Sequence, residues 1–160
     1  MLLLLALRVI ALTARAARLQ SAGVRPVHSL LTFGVAFVSF STFGYPVSER
    51  SEKMHKAPTV LDGRNVDFEY EGEMAVDVAL NMSAMEHYPF SRLTAPANIL
   101  VVPARHSASI SVKLMQEMAG ATVIGPILSG VGKPVQICST GSTVNDILNM
   151  AVIAACKVGQ

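Results

Sequence analysis

The sequence predicts an α/β fold, a partial three-layer sandwich with a mostly parallel sheet. Three observations point there. Short apolar runs of strand length alternate with helix-length segments from Val35 onward. One of those runs, Asn98 to Val102, carries continuous apolar residues, the pattern of a strand covered on both faces. The last helix has the clearest periodicity in the chain. Val144, Ile147, Leu148, Ala151 and Ala155 share a stripe there, and Thr143 and Asp146 stand in the Thr-x-x-Asp relation of a capping box at its start.

Taken in order, Met1 to Arg18 is rich in Leu, Ala and Arg, has no acid, and reads as a helix that ends before the break at Pro26. We treat residues 1–30 as a segment apart from a main domain over 35–160. Three readings of that segment compete: an ordinary helix of a longer domain, a mitochondrial targeting peptide over about residues 1–25, or a membrane tether. A bilayer span needs roughly 20 unbroken apolar residues, and Arg8 interrupts the run from Leu2 to Leu7.

Val35 to Phe40 is expected to be a strand, Ser48 to Leu61 a helix with Pro58 straining its end, and Val66 to Tyr70 a strand after the Asp62-Gly63 turn. Glu73 to Leu80 reads as a short helix and Tyr88 to Ala97, with two prolines, as a loop. After the Asn98 to Val102 strand, His106 to Met118 is expected to be a helix with Ile110, Leu114 and Met118 on one stripe. Ala121 to Ile124 and Val135 to Cys138 read as two further short strands.

Composition removes several function classes. The chain has 160 residues, 51% of them hydrophobic and 15% charged, which suits a single folded core. The formal charge of +2 misleads, because four of the thirteen Lys and Arg precede Glu49 and leave nine against all eleven acids in the rest. A nucleic-acid surface would require clustered cations and stacking aromatics, so nucleic acid is not an expected partner. Cys138 and Cys156 lie in no CxxC pair and read as small buried apolar residues. His28, His55, His87 and His106 are scattered singly, so no metal is expected.

Ligands of open parallel sheets bind beyond the carboxyl ends of strands, where loops lead into helix N-termini. Three segments have that character: Ser39 to Gly44, Pro103 to Ser107, and Ser139 to Thr143. Hydroxyls and glycines at such places can hold phosphate oxygens, although Ser, Thr and Gly are also the usual residues of turns and caps. No Walker A loop is present, since Pro134 follows Gly132-Lys133 where Ser or Thr is required.

Several blocks, in order, resemble the phosphate acetyl/butyryl transferase (phosphotransacetylase) family. They are Ser39-Phe40-Ser41-Thr42-Phe43-Gly44, the stretch from Val66 to Met74, Ala97 to Pro103, Ile124-Gly125-Pro126-Ile127-Leu128, Lys133-Pro134-Val135 and Asn149-Met150-Ala151. The wording of Phe68 to Met74 and of Gly120 to Leu128 looks most like the domain fused to NADP-dependent malic enzymes. The resemblance runs from about Val35 to the end and implies the C-terminal portion of an isocitrate/isopropylmalate dehydrogenase-like phosphotransacetylase fold.

In acting family members the Lys-Pro-Val strand is followed by Ser-Arg-Gly and then an Asp that serves as base on the CoA thiol, and a second Arg precedes the Ile-Gly-Pro segment. By that resemblance Ser139 and Asp146 are the catalytic candidates, and Ser39, Ser41, Thr42, Gly125, Pro126, Thr140 and Gly141 the ligand-binding ones. Thr140 stands where the first Arg is expected and Glu117 where the second is. Both departures remove guanidinium forks that, by the resemblance, grip phosphate and the CoA thioester. The resemblance therefore implies acetyl-CoA or another acyl-CoA as ligand, with no bound cofactor, in a regulatory and oligomerising domain that is weakly active or inactive. Its partners would be further copies of itself or the rest of a malic enzyme, in the cytoplasm or, with a targeting peptide, the mitochondrial matrix. An active phosphate acyltransferase and an N-terminally targeted or tethered interaction protein are the alternatives.

Overall fold

A computed structural model describes residues 7–8, 33–128 and 131–156. It divides into two compact units, Met1–Ile110 and Ser111–Gln160. The first holds a four-stranded sheet of order β1-β4-β2-β3, formed by β1 (Leu7–Arg8), β2 (Gly34–Val38), β3 (Glu69–Met74) and β4 (Ile99–Val101). β2 lies in the middle, parallel to both β3 and β4, and β1 pairs antiparallel with β4. Leu7 and Arg8 fall in the segment expected to be helical and form a strand instead. The rest of that segment lies outside the described residues.

β2 explains why the sheet is covered on both sides. All five of its residues are buried, and the four after Gly34 alternate between two hydrophobic clusters. Ala36 and Val38 join Met74, Val78, Ala79, Met85, Leu93, Ala97 and Leu100. Val35 and Phe37 face the other way, onto Met54 and Val101. The second cluster is closed by α1 (Glu49–Asp62), which buries Ser51, Met54 and Pro58 along one stripe. Ser48 caps that helix, its hydroxyl accepting from the backbone N–H of Arg50 at 3.2 Å. The first cluster is closed by α2 (Val76–Leu80), α3 (Met82–Met85) and the loop that follows them.

β3 departs from expectation. The strand anticipated at Val66 to Tyr70 runs over Glu69–Met74, and the helix anticipated at Glu73 to Leu80 begins only at Val76. Local propensity disfavours Glu in a strand. Here Glu71 and Glu73 are buried in one because distant residues satisfy their carboxylates, a tertiary effect that neighbours in sequence do not reveal. Gly72 between them is required by contact. A Cβ there would lie 2.6 Å from the Phe37 carbonyl oxygen and 2.8 Å from the Phe37 Cβ, at a φ of +147°. The β2–β3 register shifts beside that contact, between Phe37 and Val38.

Arg92 ties the loop after α3 to the sheet. Its backbone N–H donates to Glu71 Oε2 at 2.9 Å, and its guanidinium reaches Glu71 Oε1 at 3.2 Å and Asp62 Oδ1 at 2.6 Å while lying 4.7 Å from the centre of the Tyr70 ring. Its Glu71 and Asp62 partners hold the guanidinium above its ordinary value, and burial opposes them.

α4 (Arg105–Ala119) and α5 (Val144–Cys156) match the two expected helices to within a residue or two where bounds were anticipated. The strands expected at Ala121 to Ile124 and Val135 to Cys138 do not form. A strand exists only where a neighbouring edge accepts its ladder, and among the described residues none pairs with either run. Cys138 and Cys156, expected to be buried, are exposed free thiols. The apolar stripes of the helices are likewise open: Ile110, Leu114 and Met118 on α4, and Val144, Ile147 and Leu148 on α5, are all exposed. Among the described residues no helix is long and apolar enough to cross a membrane.

Candidate functional site

The carboxyl ends of β2 and β3 lie side by side, so the chain leaving Val38 passes the end of β3. Ser39 N–H donates to the Met74 carbonyl at 2.9 Å and Phe43 N–H to the Glu73 carbonyl at 2.8 Å. Between them the chain folds tightly. Thr42 and Tyr45 exchange backbone hydrogen bonds of 2.8 and 3.1 Å around Phe43 and Gly44, whose φ values of +49° and +86° suit a type I′ turn.

Glu73 is the centre of this arrangement. It is 0% exposed, and its carboxylate accepts from Ser41 Oγ at 2.8 Å, from Gly44 N–H at 2.9 Å and from His55 Nδ1 at 2.6 Å. Burial pushes the carboxyl up, but the donors from Ser41, Gly44 and His55 together outweigh it and hold the group below its ordinary value. Because an ionised carboxylate only accepts, the proton of the His55 contact sits on Nδ1. The side chain of His55 is 55% exposed, so the node has one polar ring open to solvent.

The loop hydroxyls expected to bind ligand have internal partners here. Ser41 donates to Glu73, Thr42 Oγ1 accepts from Ala75 N–H at 3.0 Å, and Ser39 Oγ lies 3.5 Å from Ser41 Oγ. A phosphate placed against the Ser41 and Gly44 donors would compete with a carboxylate already bound to them.

The other candidates lie in the second unit. Gly125 and Pro126 belong to the irregular stretch after α4. Ser139, Thr140 and Gly141 form the turn ahead of α5, where Ser142 N–H donates to the Ser139 carbonyl at 3.1 Å and the two serine hydroxyls are 3.2 Å apart. Thr140 and Gly141 are exposed. Asp146 closes the reciprocal capping box: its carboxylate accepts from Thr143 N–H at 2.8 Å and Thr143 Oγ1 at 2.8 Å, and its own N–H donates to Thr143 Oγ1 at 3.2 Å. The Thr143 backbone N–H, then its hydroxyl, hold the Asp146 carboxyl below its ordinary range.

The structure thus gathers Ser39, Ser41 and Thr42 around Glu73, and Ser139 to Gly141 next to the cap that holds Asp146. Sequence reasoning missed His55 and Glu73, which are 18 residues apart and meet only through the packing of α1 on the sheet. The one available signal was a run of four alternating acids, Asp67, Glu69, Glu71 and Glu73. Among the described residues no group of three or more His, Cys, Asp or Glu could hold a metal ion.

Comparison with known proteins places this geometry in context. The profile of a family described as phosphate acetyl/butaryl transferase matches residues 16–155, so the likeness begins well ahead of the Val35 expected from the motifs. An NADP-dependent malic enzyme of Rhizobium meliloti is 57% identical over 125 residues, which are 78% of this chain and 16% of that protein. A phosphate acetyltransferase of Clostridium acetobutylicum is 35% identical over 120 residues, 74% of this chain and 36% of the enzyme. Among solved structures, a phosphotransacetylase from Streptococcus pyogenes superposes with a TM-score of 0.71 at 34% identity, over 79% of this chain and 39% of its own. The chain therefore spans well under half the length of these relatives.

Proposed function

Because the chain belongs to the phosphate acetyl/butyryl transferase family, as a domain of the kind found in malic-enzyme fusions, we propose that it binds acyl-CoA as a regulatory and oligomerising domain with little or no acyltransferase activity. One observation carries this reading. At the position of the family's base, Asp146 has its Oδ2 held in the Thr143 cap, and the residue ahead of it in the turn is Thr140 rather than a guanidinium.

The cap occupies Oδ2 of Asp146 and lowers the basicity of its carboxyl, which weakens it as a base for the CoA thiol. Holding the phosphate dianion calls for charge-assisted donors. Thr140 supplies a neutral hydroxyl and Glu117 an anion, and the donors of Ser41 and Gly44 already serve Glu73. On this reading Ser39 and Thr42 contact the ligand, with Ser41 buried behind them, and residues 35–160 form part of the three-layer sandwich of an isocitrate/isopropylmalate dehydrogenase-like fold. Its partners are other copies of the chain or the rest of a malic enzyme, in the cytoplasm or the mitochondrial matrix.

Titration calorimetry of the purified chain tests it. Acetyl-CoA is expected to bind and acetyl phosphate to give no heat of binding. Binding of acetyl phosphate without acetyl-CoA would overturn the proposal. The alternative of an active transferase draws on Ser139 and Asp146, which stand where the family's pattern has its Ser and Asp.

A further inference from the structure

The chain has nine aromatic residues, six Phe and three Tyr, and five of them lie on two short loops: Phe40, Phe43 and Tyr45 on one, Tyr88 and Phe90 on the other. The two loops meet. Phe43 packs edge-on to Phe90 with ring centres 4.8 Å apart and tilted against Tyr88 at 5.3 Å, and Tyr88 and Phe90 are themselves 6.1 Å apart at 88°. Phe43 and Tyr88 rest on the core cluster below. Phe90 does not belong to that cluster and is 65% exposed.

The backbone at Phe43 is held in a conformation that a bulky side chain rarely adopts, at a φ of +49°. Such strain persists where the surroundings over-determine it, and here they do. Phe43 N–H donates to the Glu73 carbonyl at 2.8 Å, and the next residue, Gly44, donates to the Glu73 carboxylate at 2.9 Å. Gly or Asn would fill the first left-handed position of this turn without strain. The fold instead keeps a phenyl ring at that place and supports an exposed second ring with it.

We propose that the Phe43–Tyr88–Phe90 cluster is a stacking platform for the adenine ring of a CoA ester, an inference that rests on the acyl-CoA reading. The cluster lies at the carboxyl ends of parallel strands, where sheets of this kind receive small ligands. Its outermost group is the mostly exposed Phe90 ring, an aromatic surface that suits a flat base. Its neighbour beyond Gly44 is His55, whose Cε1 lies 3.9 Å from where a Gly44 Cβ would be. With Nδ1 bound to Glu73, the half-exposed His55 ring is a second polar group near the platform.

The test uses the full chain with three probes: CoA, AMP and 4′-phosphopantetheine, which lacks the nucleotide. Substituting an aromatic that stacks on a base weakens binding by about tenfold. Phe90→Ala is expected to weaken CoA and AMP by that factor, leave 4′-phosphopantetheine unchanged and leave the urea midpoint where it was, since the ring is mostly exposed. Phe90→Leu is expected to behave like Phe90→Ala, and Phe90→Tyr to restore binding. CoA affinity unmoved by Phe90→Ala would overturn the platform while leaving the acyl-CoA reading intact. Loss of AMP binding in Phe90→Ala from a chain that does not bind CoA would sustain the platform and overturn the acyl-CoA reading. A chain that binds neither CoA nor AMP overturns both.

Discussion

The two units of the chain use their residues in opposite ways. The first buries charge: Glu71 and Glu73 sit inside a strand, each surrounded by donors that come from other elements. The second leaves apolar groups in the open, with Val144 82% and Met118 82% exposed and only Met150 of α5 buried. The contrast teaches that apolar pattern and burial are separate quantities. A fully connected polar node stabilises the interior, and an amphipathic stripe does so only when something covers it.

The largest expected effect tests the close contact of β2 and β3. Gly72→Ala should cost about 3 kcal/mol or more in urea unfolding, because the new Cβ meets the Phe37 backbone and the positive φ adds strain. A cost below about 1 kcal/mol would mean that the strands do not approach as described.

Next comes the node itself. Glu73→Ala leaves Ser41, Gly44 and His55 without their acceptor and should cost about 2 to 3 kcal/mol, with Glu73→Gln intermediate. The same group sets a pH dependence. Its folded value lies below the ordinary 4.5, so as pH falls the unfolded chain takes up the proton first. The contribution of Glu73 is therefore complete above about pH 4.5 and is lost as pH falls through the depressed folded value. Urea midpoints measured from pH 7 down to pH 3 should drop more steeply for the parent chain than for Glu73→Gln, and equal slopes would remove the node from the account.

Smaller effects belong to the second unit. Thr143→Ala removes the cap of α5 and should cost about 1 kcal/mol by circular dichroism melts, with part of the loss recovered by Thr143→Ser. Leu148→Ser on the exposed stripe should change stability by about 0.5 kcal/mol or less, while Val38→Ala in the buried strand should cost about 2 kcal/mol. Equal losses from the two would erase the contrast between the units, because they would show that the α5 stripe is covered in solution.

Those effects divide along the same line as what the sequence made legible. β2, β4, α1, α4 and α5 follow from local pattern, and the Thr143–Asp146 box was readable from two residues at the right spacing. β3 was misplaced because its glutamates are satisfied by Arg92, Ser41 and His55, which lie 18 to 32 residues away. The strands expected after α4 failed for the converse reason, since an apolar run of strand length carries no information about whether an edge is there to receive it. Of the candidate site, the hydroxyl loops were legible from composition. That Ser41 and Gly44 turn inward to a buried carboxylate was not, because it depends on the parallel pairing of β2 with β3.

One assay directly addresses the proposal that this chain recognises acyl-CoA without transferring its acyl group. Purified chain is supplied with CoA and acetyl phosphate, and thioester formation is followed in parallel with a variant carrying Thr140→Arg and Glu117→Arg. The account predicts no thioester above the uncatalysed rate with the parent chain, under conditions where calorimetry detects bound acetyl-CoA. Thioester formation that depends on the parent chain, and that disappears on Asp146→Asn, would contradict it.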